Sequence, residues 1–312
     1  MRIGGGENPC RVPSPRRPRP GRYSSSWLAT LRFTSDEQRP ARGLRVAIVV
    51  PSDNLGYLGV MRRLRFSIFF LFATIAEVAG AETVTVAVAS NFARPAQEIA
   101  ERFEEWSGHS VRVTTASTGK LYAQIVNGAP FDVLLAADKE RPRLLEESGL
   151  GIEGTRFTYA VGALTLWSRD ADLDGKDCKE QLTKLGAKRL AIANPLTAPY
   201  GVAAKQFLVG AGLWSIVEPQ LVFGENISQA LHFVASGNAS LGLISRSQAL
   251  DARLPAATCQ WPVPASMHEP LEQQVILLQR ALSDEAATGF IGFLHGSIAS
   301  QIISDHGYTV PQ

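Results

Sequence analysis

Four short segments of this chain carry groups that could hold an anion without being charged themselves. They are Ala89-Ser90-Asn91-Phe92, Ala116-Ser117-Thr118-Gly119-Lys120, Asn194 to Gly201, and Gly224-Glu225-Asn226-Ile227-Ser228. Each sets small, hydroxyl or amide residues where an apolar, strand-like run gives way to a helix-like one. A helix N-terminus presents free N–H groups and a partial positive charge, so such a turn can bind an oxyanion. Taken singly, each turn is explained by the ordinary preference for Ser, Thr and Asn as N-caps.

Other chemistries find little support. The upstream Gly that a phosphate-cradling P-loop requires before Gly119-Lys120 is missing, and no Gly-x-Ser-x-Gly nucleophile turn occurs. The histidines at 109, 232, 268, 295 and 306 fall in no metal-ligand spacing, and His268-Glu269 alone is no zinc-protease motif. The expectation is a binding protein that is not an enzyme and carries no cofactor.

Along the chain, strands alternate with helices. Val84 to Ala89 reads as a strand, and a helix follows with apolar residues at Phe92, Ala96, Ile99, Ala100, Phe103 and Trp106, one helical face. Strand-like Val111–Thr115 and Phe131–Ala136 alternate with helical Lys120–Val126 and a helix capped by Asp138. A β-rich crossing covers Phe157–Trp167. A second block follows, with strands near 189–193, 221–223 and 241–244 and helices near 200–213 and 227–235. Strand Gln274–Leu278 and helices near 285–295 and 297–305 close the chain. Such alternation implies α/β architecture with mostly parallel sheets, whose ligands sit at the carboxyl ends of strands.

Composition agrees with a globular fold: 45% of the 312 residues are hydrophobic and 19% charged, enough apolar material to bury a core. The net charge of +2 conceals an uneven distribution. Residues 1–60 carry +6 and 61–81 carry +2, which leaves 82–312 at −6. An acidic body lacks the basic surface that nucleic-acid binding needs.

Arg62, Arg63 and Arg65, the apolar run Phe66 to Ala76, and Ala79-Gly80-Ala81 together form a secretory signal, with cleavage expected after Ala81. Met61 then reads as the start. On that reading 1–60, which includes the Pro/Arg-rich Ser14 to Pro20, is a mis-assigned extension; a disordered extension is the alternative. Export places the mature chain in an oxidising compartment with two cysteines, Cys178 and Cys259, which are expected to pair.

The four turns, in their order and spacing, carry a resemblance. Val86-Ala87-Val88-Ala89-Ser90-Asn91-Phe92, Ala116 to Ile125, Asn127-Gly128-Ala129-Pro130-Phe131-Asp132, Ala193 to Gly201 and Glu225-Asn226-Ile227 resemble the periplasmic molybdate-binding proteins of ABC importers. The resemblance covers essentially all of 82–312 and none of 1–60. It implies a two-lobed periplasmic binding protein fold, each lobe a mostly parallel sheet flanked by helices, with the ligand between them. Lobe one is expected at 82–161 plus 263–312 and lobe two at 162–262. The resemblance further implies a periplasmic, monomeric protein that captures molybdate, and tungstate with it, for the permease subunits of an ABC transporter. By motif position the oxyanion ligands would be Ser90, Asn91 and Thr118 from the first lobe, with Tyr200 and Ile227 from the second acting through their main-chain N–H groups.

One position departs from the pattern. Many members place a Tyr at the end of the strand that here reads Leu241-Gly242-Leu243-Ile244-Ser245; Ser245 is too short to reach across the same gap and is left out of the site. Asn91 is expected to compensate with its main-chain N–H and side-chain amide, the alternative being that it only caps its helix. Sulfate remains a rival ligand, since it too is a fully deprotonated tetrahedron. Phosphate at neutral pH carries a proton and needs an acceptor, for which only Glu225 qualifies. An amino-acid ligand would need an Arg or Asp to meet its carboxylate and amine, and neither residue type occupies the four turns.

Overall fold

A computed structural model describes residues 81–311 except Ala187. The extension 1–60 and all but the last residue of the signal segment lie outside the described residues.

The chain begins with β1 (Thr83–Ala89), α1 (Ala93–Ser107), β2 (Ser110–Ala116), α2 (Thr118–Val126), β3 (Val133–Leu135), α3 (Glu140–Glu147) and β4 (Phe157–Gly162). Only Ala163 separates β4 from β5 (Leu164–Ser168). The second block holds α4 (Cys178–Thr183), β6 (Leu190–Ala193), α5 (Pro199–Gly210), α6 (Trp214–Val217), β7 (Leu221–Gly224), α7 (Ile227–Ala235), β8 (Leu241–Ser245), α8 (Arg246–Ala249) and β9 (Cys259–Pro262). After β9 come β10 (Leu271–Leu277), α9 (Glu285–Leu294) and α10 (Ser297–Asp305).

These strands form two five-stranded sheets, ordered β2-β1-β3-β10-β4 and β7-β6-β8-β5-β9. In each, a parallel trio is extended by a reversed strand, β10 or β5, and by an edge strand antiparallel to that one. Four of the five strands therefore point the same way, and the mostly parallel character is kept. The chain passes between sheets twice, at Ala163 and between Pro262 and Leu271. Because both parallel trios end their strands at the boundary between the sheets, the turns that follow β1, β2, β6 and β7 face one another.

Buried strands explain the apolar runs. Val84, Val86, Val88, Val133 and Leu135 pack with Ile99, Phe103 and Phe290 on one face of the first sheet, while Ala87, Leu121, Leu134 and Ile276 fill the other. In the second lobe Leu166, Trp167, Ile192, Phe207 and Leu243 share a core. Each such large side chain contributes about 1.5–3 kcal/mol on burial.

Three differences from the expected elements have physical causes. Trp106 stands on the predicted apolar face of α1 but is 67% exposed. It lies in the last turn of the helix and rests its ring edge against Phe103 and Phe293. The short helices α4, α6 and α8 escape a periodicity reading because none spans two turns. Strand β9 is a third difference; its four residues alternate, with Cys259 buried and Gln260 exposed, but over too short a run to mark a strand, and pairing with β5 makes it one. Its first residue, Cys259, is bonded to Cys178 at the start of α4, with Cα atoms 5.3 Å apart across 81 residues of sequence.

Candidate functional site

The first turn leaves β1 at Ala89 and makes a single 3-10 turn, Ser90–Phe92, before α1. Ser90, Asn91 and Phe92 are all buried. No side-chain cap bond closes this helix start, which removes the reading of Asn91 as a plain N-cap. Its amide nitrogen donates instead to Gln273 Oε1 at 2.8 Å and to the Tyr308 hydroxyl at 3.1 Å. Both amide protons are thus committed inside the protein, and what Asn91 can offer a ligand is its main-chain N–H.

The second turn places Ser117 at the N-cap of α2 with extended backbone, again without a side-chain cap bond. Sequence reasoning names Thr118 as the donor. The structure turns the Thr118 hydroxyl toward the main chain, where it accepts from Ala137 N–H at 3.0 Å. The hydroxyl left buried without any partner is that of Ser117. A buried, unpaired hydroxyl costs about 1–3 kcal/mol; among the described residues Thr165 and Thr258 share that state, but of the three only Ser117 stands at one of the four turns. The signal for Ser117 lay in the Ser-Thr pair itself; which of the two faces the cleft depends on where the helix starts.

In the second lobe, Asn194 folds the loop after β6 by accepting Leu196 N–H on its side chain at 2.9 Å. Pro199 opens α5 and has no N–H, and Gly201 N–H turns back to Ala198 C=O at 2.9 Å. Tyr200 therefore supplies the first open main-chain donor of that helix. The fourth turn caps α7 through Asn226, whose carboxamide oxygen accepts from Gln229 N–H at 3.0 Å, leaving buried Ile227 at the first helical position with its N–H unused by the helix.

The two pairs of turns are clasped together. Gly119 N–H donates to Thr197 C=O at 2.9 Å across the cleft. A Cβ at Gly119 would lie 2.8 Å from that oxygen, so only glycine permits the approach. Lys120 pairs with Glu225 at 2.7 Å, and Arg94 pairs with Asp251. Burial would raise the Asp251 carboxyl, but hydrogen bonds from Arg253 and the Arg94 charge outweigh it and hold it below the usual carboxylate range. Both residues that flank the turns as cations are thus neutralised by partners on the opposite lobe. Glu225, the one candidate acceptor for a protonated anion, is mostly exposed and already paired.

Ser245 has a different task. Its hydroxyl accepts Gln248 N–H at 3.2 Å, and Gln248 Oε1 receives Ser245 N–H at 3.3 Å, a reciprocal capping box at the start of α8. Four helix starts, two in each lobe, thus meet where the lobes touch, and Ser90, Asn91, Ser117, Thr118, Tyr200 and Ile227 are all buried there.

A model of the bacterial extracellular solute-binding protein family matches residues 84–309. The chain belongs to that family. It is 44% identical over 236 residues to the molybdate-binding protein ModA of Azotobacter vinelandii, covering 75% of this chain and 92% of that one. Identity to ModA of Rhodobacter capsulatus is 41% over 230 residues, covering 74% and 89%. The solved periplasmic molybdate-binding protein of Azotobacter vinelandii superposes with a TM-score of 0.69 at 35% identity, over 73% of this chain and all of that one. This solute-binding protein thus has the two-lobed periplasmic binding protein fold. The sulfate-binding protein SubI of Mycobacterium tuberculosis, at 12% identity and a TM-score of 0.59, shares the fold alone.

Proposed function

We propose that this solute-binding protein captures molybdate, and tungstate with it, in the periplasm and hands it to the permease subunits of an ABC transporter. The observation that carries the reading is the meeting of four helix starts around the unpaired Ser117 hydroxyl. Main-chain N–H groups of Ser90, Asn91 and Thr118 face those of Tyr200 and Ile227, and Ser117 and Ser90 add hydroxyls. A dianion is held by such neutral donors because hydrogen bonds to a charged acceptor contribute about 1.5–3 kcal/mol each. Oriented dipoles, not net charge, supply the attraction, which is why a body carrying −6 suits the task.

Glu225, the one carboxylate in the four turns, is already paired with Lys120, which disfavours a protonated anion such as phosphate, whose P–OH proton would meet donors rather than an acceptor. The neutral lining likewise favours capture without turnover. Export by the 61–81 signal, cleavage after Ala81 and a monomeric state complete the proposal. Calorimetry of the mature chain with molybdate, tungstate, sulfate and phosphate tests it. Tight binding of molybdate and tungstate with weak or no heat from the other two is expected; sulfate binding as tightly as molybdate would overturn the assignment.

A further inference from the structure

Beneath the pocket lies a group of buried polar side chains that do not themselves face the ligand. Gln273 is at its centre. The register of β10 against β4 shifts between Gln273 and Gln274, and such a bulge re-aims a side chain. Gln273 is fully buried; its Oε1 accepts from Asn91 Nδ2 at 2.8 Å and from the Tyr159 hydroxyl at 3.2 Å. Its Nε2 donates to the Tyr200 hydroxyl at 3.4 Å. Tyr308 completes the group, donating to Asn91 C=O at 2.8 Å while it accepts from Asn91 Nδ2.

The arrangement depends on the crossing. A Cβ at Gly162, the last residue of β4, would fall 2.2 Å from the Tyr200 hydroxyl and 2.8 Å from Gln273 Nε2. Glycine there opens the path by which a second-lobe phenol enters the first lobe. Burial pushes the Tyr159 and Tyr200 phenols well up and Tyr308 to about 12, so all three keep their protons at neutral pH. One amide therefore touches both Asn91 and Tyr200, whose main-chain N–H groups face the pocket from opposite lobes.

We propose that Gln273 is a positioning residue that sets the separation of the Asn91 and Tyr200 turns and with it the size of tetrahedral oxyanion the pocket accepts. The inference rests on the oxyanion reading above. Hydrogen bonds weaken steeply as they lengthen, so donors held apart by a rigid buried network fit the larger molybdate and leave the smaller sulfate with stretched contacts. Removing the amide takes away one acceptor of the Asn91 amide and one acceptor of the Tyr159 hydroxyl.

The test compares the parent with Gln273→Met, which keeps the shape, and Tyr200→Phe, which keeps the main-chain donor. Calorimetry gives the molybdate and sulfate affinities of each, and thermal melting gives ligand-free stability. In Gln273→Met molybdate affinity is expected to fall about tenfold, the value of one hydrogen bond, while sulfate affinity falls less, so the molybdate-to-sulfate ratio shrinks. Tyr200→Phe shrinks it in the same direction by a smaller factor. A lower melting temperature with the ratio unchanged overturns the proposal, because a purely structural role moves only the former. Should Gln273→Met fail to fold, an unchanged ratio in Tyr200→Phe overturns it. A parent that prefers sulfate overturns the molybdate reading, while the Gln273 inference still stands or falls on whether the variants depart from the parent's ratio. A parent that binds neither overturns both.

Discussion

The hydroxyl of Ser228, in the second lobe, donates to the main-chain carbonyl of Ser90, in the first, at 3.1 Å. The Ser228 hydroxyl oxygen in turn accepts from Gln248 Nε2 at 3.1 Å, and Gln248 belongs to the capping box that Ser245 closes. A residue too short to meet the ligand thus supports a contact that holds the lobes together. Removing the hydroxyl in Ser228→Ala should weaken molybdate binding by about 0.5–1.5 kcal/mol, the net worth of a neutral hydrogen bond. Stopped-flow fluorescence should find the loss in the dissociation rate, since the bond forms only when the lobes are closed.

Ser117 and Thr118 should separate cleanly. Ser117→Ala is expected to weaken molybdate binding by roughly 1–3 kcal/mol and to leave ligand-free stability unchanged or slightly raised, because it deletes a buried unpaired hydroxyl. Thr118→Val should lower the melting temperature, because it leaves the buried Ala137 N–H without its acceptor. The opposite pattern in calorimetry and melting would restore Thr118 as the side-chain donor.

Gly119 tests closure. In Gly119→Ala the new methyl collides with the Thr197 carbonyl of the other lobe and should hold the cleft open without disturbing either core. Scattering of the parent should show a smaller radius of gyration with saturating molybdate than without, as expected for a ligand that selects the closed population. The variant should show a smaller contraction and weaker binding. Equal contraction in both would count against a hinge that shuts at Gly119.

The Cys178–Cys259 bond tethers α4 to β9, neither of which supplies one of the four turns. Replacing both cysteines with Ser should cost about 2–4 kcal/mol of stability in denaturant titrations and leave molybdate affinity where it was. A change in affinity at full folding would mean the tether shapes the second-lobe turns.

Alkaline pH should loosen the network around Gln273. Tyrosine titrates near about 10 in an unfolded chain, and burial raises Tyr308 to about 12 in the fold. Above pH 10 the unfolded state therefore loses this proton first, and stability falls as pH rises from about 10 toward 12; below 10 the contribution is constant. Tyr308→Phe should flatten part of that decline in melts recorded between pH 9 and 12.

Much of this protein is local and was therefore legible. Helix α7 and helix α10 begin and end where apolar period and N-cap residues place them, and the turn after each parallel strand follows from the same short-range rules. The family resemblance then named Ser90, Asn91, Thr118, Tyr200 and Ile227 as the oxyanion ligands. What local rules cannot reach is the fate of a polar side chain whose partner lies far along the chain. The amide of Asn91 is taken by Gln273 and Tyr308, 182 and 217 residues away, and a bulge in β10 aims Gln273 there. Thr118 rather than Ser117 is turned inward because Ala137 N–H sits beside α2 only after β3 has packed against β1. Lys120 and Glu225 read as solvated charges on separate helix starts until the lobes bring them together. A hydroxyl or amide is chemically the same in either setting; which group it meets is decided by the meeting of two sheets, and that contact exists only in the folded chain.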